Sequence, residues 1–154
     1  MEVKVVNLHK RYKINERLVK KIAAYILRHC AVGSNSRLEI VFLTDGAIRL
    51  LNKRYKGENR PTDVLSFDLG GGLFGADLFS VEIFISIDTA LKNSRLFGTT
   101  LPEEAVLYII HGILHLTGYD DVTRKGRASM EEKQEEVLKR LCRKENLSKV
   151  LTPQ

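Results

Sequence analysis

Apolar positions along the chain change period several times, and each change marks an element. Residues 3–6 (VKVV) are short and β-branched and predict a first strand. From Ile14 the period becomes helical: Ile14, Leu18, Ile22, Tyr25 and Ile26 share one stripe, while Arg17, Lys20, Lys21 and Arg28 face elsewhere. Gly33-Ser34-Asn35-Ser36 breaks that helix. Residues 38–43 (LEIVFL) read as a buried strand, and Thr44-Asp45 offers an N-cap for a helix carrying Ile48, Leu50, Leu51 and Tyr55. A loop over 56–62 leads to a third strand over 64–67, and Gly70-Gly71-Gly72 with Gly75 predicts a wide hairpin connection. Residues 81–87 (VEIFISI) alternate like a strand, and Asp88-Thr89 can cap a short helix reaching Leu96. This order predicts an α+β fold, a small mixed β-sheet with helices packed on it, as a single domain over 1–154.

The next helix carries the chemistry. Thr100-Leu101-Pro102-Glu103 fits a capping box with proline in the first turn, where its missing N–H costs little. Beyond it Ala105, Val106, Leu107, Ile109, Ile110, Ile113, Leu114 and Leu116 make the helix apolar nearly all round, hence central and buried, with Gly118 ending it. His111 and His115 lie four apart, on one face. Burying two imidazoles without a partner costs on the order of a few kcal/mol, whereas one divalent ion satisfies both. The metal site is therefore expected at the C-terminal end of this helix.

A catalytic tetrahedral site needs a third protein ligand and an open position. Gly118 lets the chain reverse, so that Asp121, or its competitor Asp120, can return to face the two rings. The frame favours Zn2+, one per chain, over other divalent transition metals. The spacing is that of H-E-x-x-H zinc proteases, yet the place of their catalytic glutamate is Gly112. Glu104 and Tyr108 share the face but lie one and two turns earlier, carried away from the metal. Peptide hydrolysis is thus disfavoured; a metal that polarises a phosphate oxygen depends less on a protein base.

Charge sharpens this reading. The formal net charge is +6, but residues 1–60 hold 14 Lys/Arg against 5 Asp/Glu, while residues 61–154 hold 11 against 14. A basic N-terminal half suits a polyanion such as RNA. No apolar run approaches the roughly 20 residues of a membrane span, and the first ten residues lack a signal peptide's apolar stretch. A cytoplasmic location with no membrane partner is expected, and Cys30 and Cys142 read as partly buried thiols. His9 and His29, in basic stretches, fit surface or RNA-contacting roles, while Phe74, Phe79 and Phe97 are either core residues or base-stacking platforms.

Residues 111–121, HGILHLTGYDD, resemble the signature of the YbeY family of bacterial metal-dependent endoribonucleases, H-G-x-L-H-L-x-G-Y-D-H; ten of eleven places fit, and Asp121 replaces the last histidine. Leu51-Asn52, Tyr55, Gly57 and residues 61–67 (PTDVLSF) resemble the family's second block, and Met130, Glu135 and Val137-Leu138 its last helix. The resemblance implies a metallohydrolase fold with zinc on His111, His115 and Asp121. It also implies single-strand-specific RNA cleavage in forming the 3′ end of small-subunit ribosomal RNA, and contact with the ribosome or its proteins. Lys56 stands where the family has arginine, keeping the charge without the bidentate fork; Arg54 and Arg60 are near enough to substitute. Val81-Glu82 replaces a Gly-Asp pair. A carboxylate in place of the third histidine makes the ion a weaker Lewis acid.

The expectation is a zinc endoribonuclease of ribosome maturation and quality control, with Lys56, Arg54 or Arg60 contacting phosphate. The alternatives are a non-catalytic ribosome-assembly factor braced by a structural metal, and a peptidase-like zinc hydrolase.

Overall fold

The computed structural model describes residues 1–70 and 79–154, so Gly71, Gly72, Phe74 and Gly75 of the glycine-rich connection lie outside the described residues. Its elements are β1 (Glu2–Asn7), β2 (Tyr12–Ile14), α1 (Glu16–His29), β3 (Arg37–Leu43), α2 (Asp45–Lys56), β4 (Val64–Asp68), β5 (Ser80–Ser86), α3 (Ile87–Phe97), α4 (Leu101–Leu116), α5 (Arg124–Lys144), a single 3-10 turn (Leu147–Lys149) and β6 (Leu151–Pro153). The main sheet runs β1-β3-β5-β4, the first three parallel and β4 antiparallel on the edge beside β5. It is the expected small mixed sheet.

Strand alternation divides the core in two. Leu38, Ile40 and Phe42 of β3, with Val81, Ile83 and Ile85 of β5, point to the face covered by α1 and α4, and α5 packs against α4 beyond. Val41, Leu43 and Leu65 point to the opposite face, where Ile48 of α2 closes a smaller cluster. Helix α4 is buried on nearly every side, as its sequence predicts, and Thr100 caps it by accepting from Glu103 N–H.

Three local features differ from the sequence reading. β2 and β6 form a separate antiparallel pair in which Ile14 faces Leu151, so Ile14 ends a strand and Asn15 caps α1. Ser86, not Asp88 or Thr89, caps α3, and Ile87 is its first helical residue. Asp88 instead ties loops together. Its Oδ1 accepts from His9 Nε2 at 2.8 Å and its Oδ2 from the Asp45 N–H at 2.8 Å, while His9 Nδ1 accepts from the Arg11 N–H at 3.3 Å. His9 is therefore a buried, fully partnered residue, 4% exposed, and not a surface histidine. Phe79 packs on the core, Phe97 is exposed, Cys30 is half-buried and Cys142 exposed, both as free thiols. Among the described residues, no helix is long and apolar enough to cross a membrane.

Candidate metal centre

Why α4 presents its histidines as it does begins at Gly112. A Cβ there would stand 2.9 Å from Ile83 Cδ1, 2.9 Å from Ser66 Oγ and 3.2 Å from Ile83 Cγ2. The helix thus lies directly on β4 and β5 through its glycine, and a glutamate at this position would enter the core rather than the site. This packing gives a steric reason for the absent protease base. Glu104 and Tyr108 are committed elsewhere as well: Thr99 Oγ1 donates to Glu104 Oε1 at 2.7 Å, and Asn93 Nδ2 to the Tyr108 hydroxyl at 2.7 Å. Burial above all pushes the Tyr108 phenol far above the usual tyrosine range, the Asn93 bond opposing it.

With Gly112 against the sheet, His111 and His115 turn toward α5 and solvent. His111 is half-buried and His115 exposed. Their rings lie parallel, 4° apart in plane, with centroids 6.4 Å apart. His111 Nδ1 meets Gln134 Oε1 of α5 at 2.6 Å. Since the amide oxygen only accepts, Nδ1 donates, an arrangement that in the neutral ring leaves the lone pair on Nε2. Fixing one ring nitrogen by a neighbour so that the other is free to ligate is the usual arrangement behind a metal-bound histidine. The two imidazoles therefore fit a divalent transition metal. Gln134 was not visible from sequence, because a neutral amide among Lys133, Glu135 and Glu136 has no spacing that marks it.

The two aspartates differ. Gly118, at φ 109°, reverses the chain after α4. Asp120 Oδ1 then accepts from the N–H of Val122 at 2.8 Å and of Thr123 at 3.4 Å, bracing the turn into α5, where Thr123 caps the helix through Gly126 N–H. Asp121 is exposed; its main-chain oxygen faces the Arg127 guanidinium at 3.4 Å, and no hydrogen bond engages its carboxylate among the described residues. Among those residues, no three His, Cys, Asp or Glu side chains stand close enough together to hold an ion. Two imidazoles are thus paired on one helix face and a carboxylate hangs from the adjoining turn.

The basic candidates sit at the end of α2. Lys56 and Arg60 line a cleft of ≈ 380 Å³ with Asn52, Asp63, Thr89 and Asn93. Asn52 Nδ2 donates to the Arg60 carbonyl at 2.9 Å, and the Arg60 guanidinium grips Glu58 through Nε at 2.9 Å and Nη2 at 2.8 Å. Arg54 lies over the Tyr55 ring, 5.5 Å from its centroid, and does not line this cleft. Lys56 is the cation of the three free of an ion pair or ring contact among the described residues. No hydrogen bond or ion pair there links any of them to a histidine of α4.

The sequence profile described as Endoribonuclease YbeY matches residues 4–142. Endoribonuclease YbeY of Pelotomaculum thermopropionicum is 36% identical over 148 residues, covering 92% of this chain and 97% of the relative. That of Geobacter sulfurreducens is 38% identical over 144 residues, covering 89% and 93%. The solution structure of TM1509 from Thermotoga maritima overlays with a TM-score of 0.62 at 26% identity, covering 89% of this chain and 87% of that one. On a profile match over most of its length and relatives this similar, the chain belongs to the endoribonuclease YbeY family.

Proposed function

We propose that this protein is a Zn2+-dependent, single-strand-specific endoribonuclease that acts in the cytoplasm on the 3′ end of small-subunit ribosomal RNA, in ribosome maturation and quality control. The observation that carries the reading is the Gln134 hydrogen bond that turns His111 Nε2 outward beside the parallel ring of His115. His111, His115 and Asp121 would hold the ion, Asp121 by a swing of the turn after Gly118. The ion, when bound, would supply Lewis-acid polarisation of a phosphate oxygen. Gly112 leaves room for no general base, which suits a phosphodiester better than a peptide. Lys56, unpaired among the described residues, would offset negative charge developing on the phosphate.

The test is elemental analysis of untagged protein beside Asp121→Ala, with cleavage of single- and double-stranded RNA by both. One zinc per chain, loosened by about 10-fold or more in the variant together with loss of single-strand cleavage, is the expected outcome. A second reading, an assembly factor braced by a structural metal, draws on Asp121 standing outside any three-residue cluster among the described residues. It predicts that His111→Ala lowers thermal stability while wild-type protein cleaves RNA no faster than the variant.

A further inference from the structure

The C-terminal ends of α1 and α5 converge on a second basic cleft, away from the histidine pair. A cavity of ≈ 660 Å³ is lined by Tyr25, Arg28 and His29 of α1 and by Arg140, Arg143 and Lys144 of α5, with no carboxylate in its lining. Arg140 is shared with Glu136 at 3.2 Å. Among the described residues, Arg28, Arg143 and Lys144 have no carboxylate within salt-bridge distance; the neighbouring pair, Lys21 with Glu145 at 2.5 Å, involves none of them. The floor is aromatic: the Tyr25 and His29 rings stack at 6.0 Å and 21°, and Lys144 Nζ lies 4.6 Å from the Tyr25 centroid. Among the described residues His29 Nε2 is buried without a hydrogen-bond partner, with Glu136 Oε1 4.0 Å away. Burial, then the charges of Lys133 and Arg140, hold the His29 ring toward its neutral form against Glu136. The cleft's charge therefore belongs to the arginines and the lysine.

Basic residues in a last helical turn also answer the negative end of the helix dipole. That accounts for their presence on each helix, but not for both sets facing one acid-free cavity. Like charges gathered this way repel one another unless a polyanion joins them. Planar guanidiniums suit phosphate oxygens, and an aromatic floor accepts a base or a ribose edge. The connection to the reaction runs through α5. Residues 140–144 follow Gln134 by six to ten positions, roughly 9–15 Å along the axis at 1.5 Å per residue.

We infer that the α1–α5 cleft is a second phosphate-backbone site, which grips single-stranded RNA at a distance from the histidine pair and so favours substrates long enough to span both. The inference rests on the RNA reading of the previous subsection. It also relocates the grip, since three of the four cations come from the acidic C-terminal half of the chain.

The test is binding, by fluorescence anisotropy, of a labelled 12-nucleotide single-stranded RNA and of a dinucleotide. The proteins are His111→Ala, which removes cleavage, and the same protein carrying R28A, R143A and K144A. Removing three phosphate contacts should lower the slope of log K against log salt by about 2, at about 0.7 per contact for single strands. The 12-mer Kd should rise by about 10-fold or more at low salt, with the dinucleotide unaffected. A matching lysine variant (R28K, R143K) should keep the salt slope, and equal thermal midpoints exclude misfolding as the cause. An unchanged slope and Kd for the 12-mer would overturn the inference while leaving the endoribonuclease reading intact. A parent protein that binds no RNA would overturn both. RNA binding unchanged alongside lost co-sedimentation with small ribosomal subunits would make the cleft a protein-docking site and also overturn it.

Discussion

At position 112 two opposing preferences meet. Glycine inside a helix is worse than alanine by about 1 kcal/mol, so an exposed glycine there would invite replacement. Here the added methyl would press on Ile83, which is 0% exposed and β-branched, and on Ser66 Oγ. Overpacking of that kind costs about 1–3 kcal/mol. Gly112→Ala should therefore lower unfolding free energy by about 1 kcal/mol net, read from denaturant midpoints. A gain in stability would mean that β4 and β5 yield more than this packing allows. The sequence already presented Gly112 as a missing base, and the structure adds that even a Cβ there would press on Ile83 and Ser66. The histidine pair was legible from its spacing on an apolar helix. Gln134 was not, because its role depends on how α5 lies across α4, which no local pattern encodes.

Among elements, the ends of the parallel strands are joined by one carboxylate network. Asp45 Oδ1 accepts from Ser86 Oγ at 2.6 Å and Thr89 Oγ1 at 2.5 Å, and its Oδ2 meets Lys92 Nζ at 2.6 Å, linking the starts of α2 and α3. Burial alone would raise the Asp45 carboxyl, but these hydrogen bonds and the Lys92 charge outweigh it and hold the group below its ordinary value. A depressed folded value means the stabilisation is fully present above the unfolded value and is lost as pH falls through the folded one. Asp45→Asn should thus cost about 1–2 kcal/mol near neutrality and show a shallower loss of thermal stability below about pH 4 than wild type. Parallel acid limbs would assign the network no pH-linked role. Helices α2 and α4 were legible from caps and periodicity: Thr44 and Thr100 cap them as their sequence suggests, while the αL cap at Gly57 emerges only from the structure. β2 and β6 were not, since three residues carry no period and the pairing is fixed only by the partner strand. The cap of α3 was also misplaced, because Asp88, a good capping residue, is drawn away by His9 and the Asp45 N–H.

For the whole molecule, the two-stranded sheet matters most for how the fold is kept. Leu151 is 3% exposed and belongs to the main core, beside Ile14 and Val150. Leu151→Ala should cost about 2–4 kcal/mol. A contact of such sequence separation that forms after the folding nucleus should appear mainly as faster unfolding, with the refolding rate little changed. Stopped-flow refolding and unfolding arms separate the two. A slowed refolding arm of matching size would place β6 within the nucleus instead.

The register of β2 against β6 also has a bearing on synthesis. Ile14 pairs with Leu151 and Tyr12 with Pro153, so the partner of β2 is made roughly 140 residues after it. At about 5–20 residues per second, that is a wait of roughly 7–28 seconds, during which the histidine helix and α5 can already have emerged and packed. The fold around the histidines would thus form first, and the early residues would be clasped into the core only when β6 leaves the exit tunnel.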